Sequence, residues 1–343
     1  MKEYFLYPFF VTIILYLFYI QLFKKYAPVA DVNHRSLHKS ITSTGGGIIF
    51  SMVFIVSIML LSKANYFSND YLLNIAIGGI FASLFGLADD YYDIGALQKL
   101  IFQIFLAVFI LLCLHFNSNT LFLDISNILI IAIYAGVVLF LVWIMNVLNF
   151  IDGINGLAAS SGVIISWSIA GIIFIQSGDI DSFYYLVMLG TVCLAFLVFN
   201  FPKAYIFMGD SGSLFLGYIL GAIAMKTIHD QELSIWTWGI MTAYIMADTT
   251  ITTLIRFIKV EKWYGVHRSH AYQHISAIMD NHTLVTFAII LIHLIWLLPS
   301  AILSVFFPKL SILLFFTSIT PIILIVLKYG PNYSNKLIEN KLA

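Results

Sequence analysis

Charged residues are scarce in this 343-residue sequence: Asp, Glu, Lys and Arg make up 10% of it, whereas hydrophobic residues make up 61%. Soluble domains carry charges at roughly a quarter of their positions, so the composition excludes an ordinary soluble globular protein. Lys plus Arg and Asp plus Glu both total 17, and this zero net charge gives no reason to expect nucleic acid as a partner. The composition is that of a membrane protein.

Cysteine is also nearly absent. Cys113 and Cys193 both lie inside apolar runs, where a small buried thiol is the expected state, so neither a disulfide, a thiolate metal site nor redox chemistry is predicted. Long polar stretches are missing as well, and the connections between apolar runs are too short for a separate soluble domain. We therefore expect residues 1–343 to form a single integral membrane domain.

Apolar segments long enough to cross a bilayer recur along the whole chain. Eleven of them fall near residues 4–23, 45–61, 71–88, 99–116, 127–145, 157–175, 183–201, 211–228, 235–255, 284–306 and 310–328. The sequence predicts an all-α fold, a polytopic integral membrane bundle of about 11 transmembrane helices.

The basic residues predict the orientation of this bundle. With eleven spans and the N-terminus outside, four of the 17 basic residues face outward, namely Lys2, Lys63, Lys226 and Lys309. The remaining 13, which is 17 minus 4, face the cytoplasm together with the C-terminus, in agreement with the positive-inside rule. The same orientation places every loop rich in Gly, Asn, Asp and His on the cytoplasmic side.

The segment DDYYD follows the third apolar run. If the helix continues through it, Asp89, Asp90 and Asp93 crowd together on neighbouring faces. Like charges this close are unfavourable unless a cation neutralises them, and carboxylate oxygens suit Mg²⁺ that is bound partly through a substrate's phosphates. A solvated helix end is the alternative, but negative charge at a helix C-terminus opposes the helix dipole. We interpret the segment as functional.

Two further segments place polar side chains at helix ends. NVLNFIDGINGLA carries Asn146, Asn149 and Asp152 before two glycines, and such groups at membrane depth are tolerated where they line a wet cavity. A hydrogen bond that joins two helices is a plausible alternative for Asn146 but a poor one for Asp152. FPKAYIFMGDSGSLFLG brings Asp210 to a helix start, which either is capped by a neighbouring serine or binds a phosphate while Asp210 holds a metal.

Two loops are rich in basic residues and histidine. DVNHRSLHKSITSTGGG is either a phosphate-binding loop or a solvated loop that fixes topology. HRSHAYQH has histidines at a spacing that allows zinc, but Arg268 among them favours a phosphate or pyrophosphate. Asp248 lies inside the ninth apolar run and either pairs with Arg256 or borders the site. Together the polar segments predict a cytoplasm-facing metal and diphosphate site, where a soluble phosphorylated donor meets a lipid acceptor.

In DDYYD, NVLNFIDGINGLA and FMGDSGSLFLG the chain resembles the polyprenyl-phosphate N-acetylhexosamine-1-phosphate transferases (glycosyl transferase family 4). This family of integral membrane enzymes includes the undecaprenyl-phosphate GlcNAc-1-phosphate and phospho-MurNAc-pentapeptide transferases. The motifs match in order and spacing, DTTITTLIR fits the family's ninth span, and the resemblance extends from about residue 30 to 275. It implies transfer of a sugar 1-phosphate from a UDP-sugar to undecaprenyl phosphate with release of UMP, dependent on Mg²⁺ or, alternatively, Mn²⁺.

The resemblance also implies roles for individual residues. Asp89 and Asp90 correspond to the family's aspartate pair, which deprotonates or positions the lipid phosphate, and Asp152 to a catalytic or nucleotide-site carboxylate. The implied metal ligands are Asp210, Asn149 and Asp90. The residues expected to bind the substrates are Arg35, His38, Lys39, Asp93, Asn155, Phe207, Arg268 and His270.

The sequence departs from the family pattern in three places. Prolines and a basic residue usually precede the family's glycine run, and these places hold Ile41, Ser43 and Thr44. The phosphate contact is therefore expected from Arg35 or Lys39. Asn155 replaces the second aspartate of the DG motif, and His267 replaces an aspartate of the late loop. This pattern resembles the branch that serves O-antigen and capsule pathways, which argues against a MurNAc-pentapeptide donor.

The sequence thus predicts an enzyme of the bacterial cytoplasmic membrane that makes undecaprenyl-diphospho-N-acetylhexosamine on the cytoplasmic face and so initiates a surface glycan. An intramembrane prenyltransferase is the first alternative, although such enzymes usually carry two Asp-rich motifs and the second candidate here is the unlike DGING. A lipid transporter is the second, although repeated halves and mid-membrane carboxylates are then expected. The identity of the N-acetylhexosamine, and the choice between a monomer and a homodimer, stay open.

Overall fold

The computed structural model describes residues 2–23, 29–30, 42–66, 71–117, 128–176, 180–259, 268–331 and 333. Within these ranges, π-helical turns at Tyr19–Phe23, Asn74–Gly78 and His293–Leu297 and a short turn at Pro308–Leu310 adjoin the α-helices. The α-helices are α1 (Lys2–Phe18), α2 (Gly47–Lys63), α3 (Gly79–Tyr92), α4 (Ala96–Asn117), α5 (Ile128–Phe150), α6 (Leu157–Ile175), α7 (Ile180–Asn200), α8 (Gly209–His229), α9 (Ile235–Met241), α10 (Ala243–Ile258), α11 (Ala271–Met279), α12 (His282–Ile292), α13 (Leu298–Phe306) and α14 (Ser311–Tyr329).

Each of the eleven predicted apolar segments overlaps a helix. In the described part of the chain, seven helices are long and apolar enough to cross a membrane: Ala96–Leu114, Ile130–Phe150, Leu157–Ile175, Ile180–Asn200, Gly209–His229, His282–Phe306 and Pro308–Tyr329. Leu6–Gln21 and Gly47–Lys63 form shorter apolar helices. The chain is a polytopic helical membrane protein, as predicted.

Two local expectations were wrong. The ninth apolar segment is not one helix, because α9 ends at Met241 and α10 begins at Ala243. HRSHAYQH is not wholly a loop, because α11 begins at Ala271. The start of α11 is stabilised from far away in sequence: the carboxylate of Asp248 in α10 accepts hydrogen bonds from the backbone N–H groups of Ala271 (2.9 Å) and Tyr272 (3.1 Å).

The helices divide into a buried centre and a more exposed surround. In α6, α7 and α8, between 72% and 83% of the spanning residues are buried, whereas the corresponding share for α4, α5 and α14 is 22–28%. The exposed side chains of the surrounding helices are large and apolar, among them Phe105, Leu139 and Leu324. Apolar side chains on an outer surface are the expected arrangement where the solvent is lipid.

The packing of α3 on α8 brings the two most acidic segments together. Gly86 of α3 lies so close to Asp210 of α8 that a Cβ there would overlap the Asp210 carbonyl group. A short strand pair, β1 (Val29–Ala30) and β2 (Thr42–Ser43), precedes α2. Its second strand continues alongside residues 206–208, where the Phe207 N–H donates to the Ser43 carbonyl oxygen at 2.9 Å. The start of α8 is therefore fixed from two sides.

Candidate active site

Three helix ends and one loop meet at one end of the bundle. α3 contributes Asp89 and Asp90 at its C-terminal end, α5 contributes Asn149, the following turn contributes Asp152, and α8 contributes Asp210 in its first turn. The contacts that join them centre on Asp210. Segments more than a hundred residues apart in sequence thus form one acidic cluster, as the sequence predicted.

Asp90 caps the start of α8. Its Oδ1 accepts a hydrogen bond from the Asp210 N–H (2.9 Å) and its Oδ2 accepts one from the Ser211 N–H (3.1 Å). The first N–H groups of a helix have no partner within the helix, so a carboxylate at this position satisfies them and matches the positive end of the helix dipole. Gly209 has φ of 71°, and a Cβ there would lie 2.5 and 2.6 Å from the Asp90 oxygens. A side chain at this position would displace Asp90.

Asp89 and Asp210 share a cation. The ammonium group of Lys99, in the first turn of α4, contacts the Oδ2 atom of Asp89 and lies 3.2 Å from the Oδ2 atom of Asp210. The side chain of Asp89 is 3% exposed and that of Asp210 is 30% exposed, so Asp210 has the greater access from outside. The Nδ2 group of Asn149 donates to Asp210 Oδ1 and to Ser213 Oγ, the latter at 3.1 Å. Because the amide nitrogen makes both of these contacts, the Asn149 carbonyl oxygen can serve as an acceptor or as a metal ligand.

Burial and crowding raise the pKa of three carboxyl groups. Burial, and then a hydrogen bond and charge shared with Asp210, raise the pKa of Asp89 to about 7 although Lys99 opposes the shift. Burial and the charge of Asp210 raise the pKa of Asp90 to about 6. Burial and the charges of Asp210 and Asp90 raise the pKa of Asp152 well above its usual range. The cluster holds more negative charge than Lys99 balances, which favours binding of a further cation.

A small cavity of about 30 Å³ opens beside the cluster. A volume of this size has room for a water molecule or an ion. The polar residues that line it are Asp89, Lys99, Gln103, Asn146, Asn149 and Asp210.

The described residues contain no group of three or more His, Cys, Asp or Glu side chains arranged to hold a metal ion. Magnesium does not need such a group, because it is usually bound by one or two carboxylates and completes its shell with water and substrate phosphates. Asp89, Asp210 and the Asn149 carbonyl supply hard oxygen donors at one cavity, where burial first and then the neighbouring Asp210 raise the pKa of Asp89. These residues fit an oxygen-ligated divalent cation that is shared with a phosphorylated substrate.

Comparison with known proteins identifies the family of this chain. The family model for glycosyl transferase family 4 matches residues 72–228, a range that contains the whole cluster. A phospho-N-acetylmuramoyl-pentapeptide-transferase of Streptococcus pneumoniae (strain Hungary19A-6) is 30% identical over 270 residues, which cover 73% of this chain and 80% of the relative. The chain belongs to glycosyl transferase family 4.

Other relatives carry different substrate names. A probable undecaprenyl-phosphate N-acetylglucosaminyl 1-phosphate transferase of Bacillus subtilis (strain 168) is 27% identical over 285 residues, covering 82% of this family 4 member and 78% of the relative. A decaprenyl-phosphate N-acetylglucosaminephosphotransferase of Mycolicibacterium smegmatis is 30% identical over 217 residues, covering 58% of this chain and 53% of the relative. Similar identity to relatives with different donors and acceptors means that family membership alone does not select a sugar.

The structure does not bring every predicted site residue into the cluster. The helix of DDYYD ends at Tyr92, and Asp93 adopts the left-handed conformation (φ 49°) with an exposed side chain. Asp89 and Asp90 therefore crowd with Asp210, whereas Asp93 turns away from the helix. The crowding expected of all three carboxylates if the helix continued is therefore found for Asp89 and Asp90 but not for Asp93, because a left-handed residue at this position ends the helix.

Asn155 and Phe207 lie beside the cluster and support its backbone. The Asn155 Nδ2 group donates to the Pro202 carbonyl oxygen at 3.0 Å, which ties the turn after α5 to the segment before α8. Phe207 is partly buried, and its backbone is hydrogen-bonded to Ser43 and Gly46, both at 2.9 Å. Their predicted roles in substrate binding stay predictions.

The described residues of HRSHAYQH differ in how deeply they are buried. Arg268 is partly buried, and burial lowers the pKa of its guanidinium group. His270 is 2% exposed and its Nδ1 lies 3.6 Å from the Oδ1 atom of Asp248, so this histidine faces the protein interior. Arg256 donates a hydrogen bond to the Ser269 hydroxyl at 3.1 Å. Arg35, His38, Lys39 and His267 lie outside the described residues.

Sequence reasoning missed two side chains of the site. Lys99 was interpreted only as a topology signal, although a lone basic residue in the first turn of an apolar helix, directly after an acidic segment, is a usable sign of an ion pair. Gln103, one turn further along α4, was also missed. It exchanges hydrogen bonds with Asn146 at 2.7 and 3.4 Å and so joins α4 to α5, as the helix-joining interpretation of Asn146 predicted.

Proposed function

We propose that this protein transfers an N-acetylhexosamine 1-phosphate from a UDP-sugar to undecaprenyl phosphate and releases UMP. The observation that carries the proposal is the convergence of Asp89, Asp90, Asn149 and Asp152 on Asp210 at the start of α8. Relatives in the same family are named for transfer of phosphorylated amino sugars to polyprenyl phosphates, which supports the same substrate classes here.

The reaction requires little covalent chemistry from the protein. An oxygen of the lipid phosphate forms a bond to the phosphorus that carries the sugar, and the bond from that phosphorus to the oxygen of UMP breaks. Such transfers are accelerated mainly by in-line placement and by neutralisation of the phosphate charge. The Lys99 ammonium group and the start of α8 supply positive charge at the cluster. A phosphate monoester loses its second proton near pH 6, and Asp89, with a pKa of about 7, is matched to accept it.

Magnesium, or alternatively manganese, would be held by Asp210 with the Asn149 carbonyl oxygen and the phosphates of the substrates. When bound, the ion neutralises phosphate charge and orients the diphosphate of the donor. Asp90 was predicted as a ligand, but the cavity is lined by Asp210 and Asn149 and not by Asp90, whose oxygens accept hydrogen bonds from the first amides of α8. We therefore assign Asp90 to holding Asp210 in place. Asp152 is hydrogen-bonded to the Gly209 backbone at the start of α8, and we assign it to contact with the donor.

We further propose that all eleven apolar segments cross the membrane as one transferase domain, with the cluster on the cytoplasmic side. The cluster is formed where α3 and α5 end and where α4 and α8 begin. This is the arrangement expected if successive helices cross the membrane in opposite directions. The placement of 13 of 17 basic residues on that side supports the orientation. In the bacterial cytoplasmic membrane, this arrangement lets a soluble UDP-sugar meet a lipid phosphate and initiate an O-antigen, capsule or other surface glycan.

The deciding experiment measures UMP release by the purified protein with undecaprenyl phosphate and a panel of UDP-N-acetylhexosamines, with and without Mg²⁺. We expect release from one donor that needs the metal, and Asp210→Asn should lower its rate at least about 100-fold. Asp230→Asn is the matched control, because Asp230 is an exposed carboxylate paired with Lys226 at 3.0 Å, far along α8 from the cluster. No release from any donor, with binding of isoprenyl diphosphates retained, would refute the proposal in favour of a prenyltransferase.

A further inference from the structure

Tyr272 contacts the backbone on both sides of Asp152. Its side chain is fully buried, and its hydroxyl donates a hydrogen bond of 2.6 Å to the carbonyl oxygen of Phe150, the last residue of α5. On the other side, a Cβ at Gly153 would overlap the Tyr272 hydroxyl oxygen. The tyrosine therefore occupies the space that opens where α5 ends and the turn with Asp152 begins.

The tyrosine is itself held from two directions. The fully buried carboxylate of Asp248 accepts the N–H groups of Ala271 (2.9 Å) and Tyr272 (3.1 Å), which fixes the first turn of α11. The ring of His270 stacks on the ring of Tyr272, with centroids 5.7 Å apart and planes 17° from parallel. The backbone and the ring of Tyr272 are thus fixed by contacts other than the hydrogen bond from its hydroxyl group to α5.

The far end of the same turn has separate supports. The Gly156 N–H donates to the Asn200 side-chain oxygen at 2.8 Å, and the Thr286 hydroxyl donates to the Asn155 carbonyl oxygen at 2.8 Å. The last carbonyl groups of a helix lack partners within the helix, so the Phe150 carbonyl group needs one from elsewhere. Tyr272 supplies it at the end of the turn nearest to Asp152.

We propose that Tyr272 is a positioning residue for Asp152. By bonding to Phe150 and packing on Gly153, it fixes the direction of the Asp152 carboxylate toward Gly209 at the start of α8. The inference rests on the proposed function, in which Asp152 contacts the donor. Supporting residues of this kind determine how well a reacting group is oriented, although they touch no substrate themselves.

Tyr272→Phe removes the hydroxyl and leaves the ring, and Tyr71→Phe is its matched control. Tyr71 is also buried, and its hydroxyl donates to the carbonyl oxygen of Ala222 at 3.2 Å, inside the bundle and away from the cluster. We expect Tyr272→Phe to lower the rate of UMP release at saturating donor about tenfold, and Tyr71→Phe to change it less than about twofold.

A second pair of variants separates positioning from general stability. In an Asp152→Asn background, adding Tyr272→Phe should cost less than about twofold, because the group that Tyr272 positions is already altered. Equal losses in Tyr272→Phe and Tyr71→Phe would overturn the inference. The inference would also be overturned if Tyr272→Phe still lowered the rate of UMP release tenfold in the Asp152→Asn background.

Hydrogen exchange distinguishes failure of this inference from failure of the proposed reaction. Amides at 151–156 should exchange faster in Tyr272→Phe than in the unmodified protein, and at the unmodified rate in Tyr71→Phe. Faster exchange in Tyr272→Phe alone supports the positioning role even if no donor releases UMP. The absence of UMP release would refute the proposed reaction but not the positioning role. Unchanged exchange at 151–156 in Tyr272→Phe would overturn the positioning role whatever the activity.

Discussion

Asp90 and Asp248 make the same contact in two different surroundings. Each is a buried or partly buried carboxylate that accepts two backbone N–H groups at the start of another helix, α8 for Asp90 and α11 for Asp248. Asp248 is fully buried, and its neighbours include the Thr252 hydroxyl at 3.3 Å and the His270 ring at 3.6 Å. Asp90 instead lies among other carboxylates, with Asp210 its strongest source of repulsion.

The difference shows what separates a structural carboxylate from a candidate active-site carboxylate. A carboxylate at a helix start is ordinary, since it satisfies orphan amides and complements the helix dipole. At Asp248 this contact holds the start of α11 in place. At Asp90 the same contact anchors a cluster in which Asp89 and Asp210 carry charge that Lys99 does not fully balance. The excess charge, and not the cap, points to a cation and phosphates.

The largest effect expected from this comparison is on activity. Asp90→Asn should lower UMP release roughly 10- to 100-fold, because Asp90 orients Asp210 through the first amides of α8. The melting temperature should change by less than about 3 °C, because loss of the charged cap is offset by relief of the repulsion from Asp210. The measurement is a steady-state rate and a thermal melt on the same preparation. If Asp90→Asn lowered the melting temperature as much as Asp248→Asn does, the two carboxylates would have the same structural role, and the distinction drawn between them would be wrong.

The second largest expected effect is a loss of stability when Asp248 is replaced. Asp248→Asn replaces one acceptor oxygen by an amide group that cannot accept the second α11 N–H, and the site is closed to water. We expect a loss of about 2 kcal/mol in unfolding free energy, the usual cost of leaving a buried polar group unpaired. Activity per folded molecule should fall by no more than about tenfold, because Asp248 acts through α11 and Tyr272. Chemical denaturation of the purified protein measures the first quantity. A loss of activity as large as that of Asp210→Asn would place Asp248 in the site itself.

Much of this arrangement was predictable from the sequence because it is local. Apolar runs of suitable length predicted the helices, and the three polar segments predicted that Asp89, Asp90, Asn149, Asp152 and Asp210 would share one end of the bundle. The rest depends on contacts across the fold. The start of α11 is stabilised by a carboxylate 23 and 24 residues earlier in the chain, which no local pattern reveals.

Three further features were missed for similar physical reasons. The helix break at Thr242 occurs in an apolar stretch, without a proline or glycine at the break to predict it. The end of α3 depends on Asp93 adopting a left-handed conformation, which aspartate tolerates but does not require. Lys99 was missed because an isolated lysine at a helix start is also what the positive-inside rule predicts, and its ion pairs become visible only when α3, α4 and α8 are packed together.

The smallest expected effect is a dependence of stability on pH without metal. Asp89 and Asp90 have folded-state pKa values of about 7 and about 6, above the unfolded value near 3.9. Between these limits the folded protein binds more protons than the unfolded chain, so the stability gained from their neutral forms is complete below about pH 4 and is lost as pH rises through 6 and 7. With EDTA present, the melting temperature at pH 8 should be roughly 3 °C lower than at pH 5.5. Asp89→Asn should reduce this difference, whereas Asp230→Asn, which changes an exposed carboxylate paired with Lys226, should preserve it. Equal pH dependence in all three proteins would mean that the cluster carries no excess charge, and the contrast between Asp90 and Asp248 would then lose its electrostatic basis.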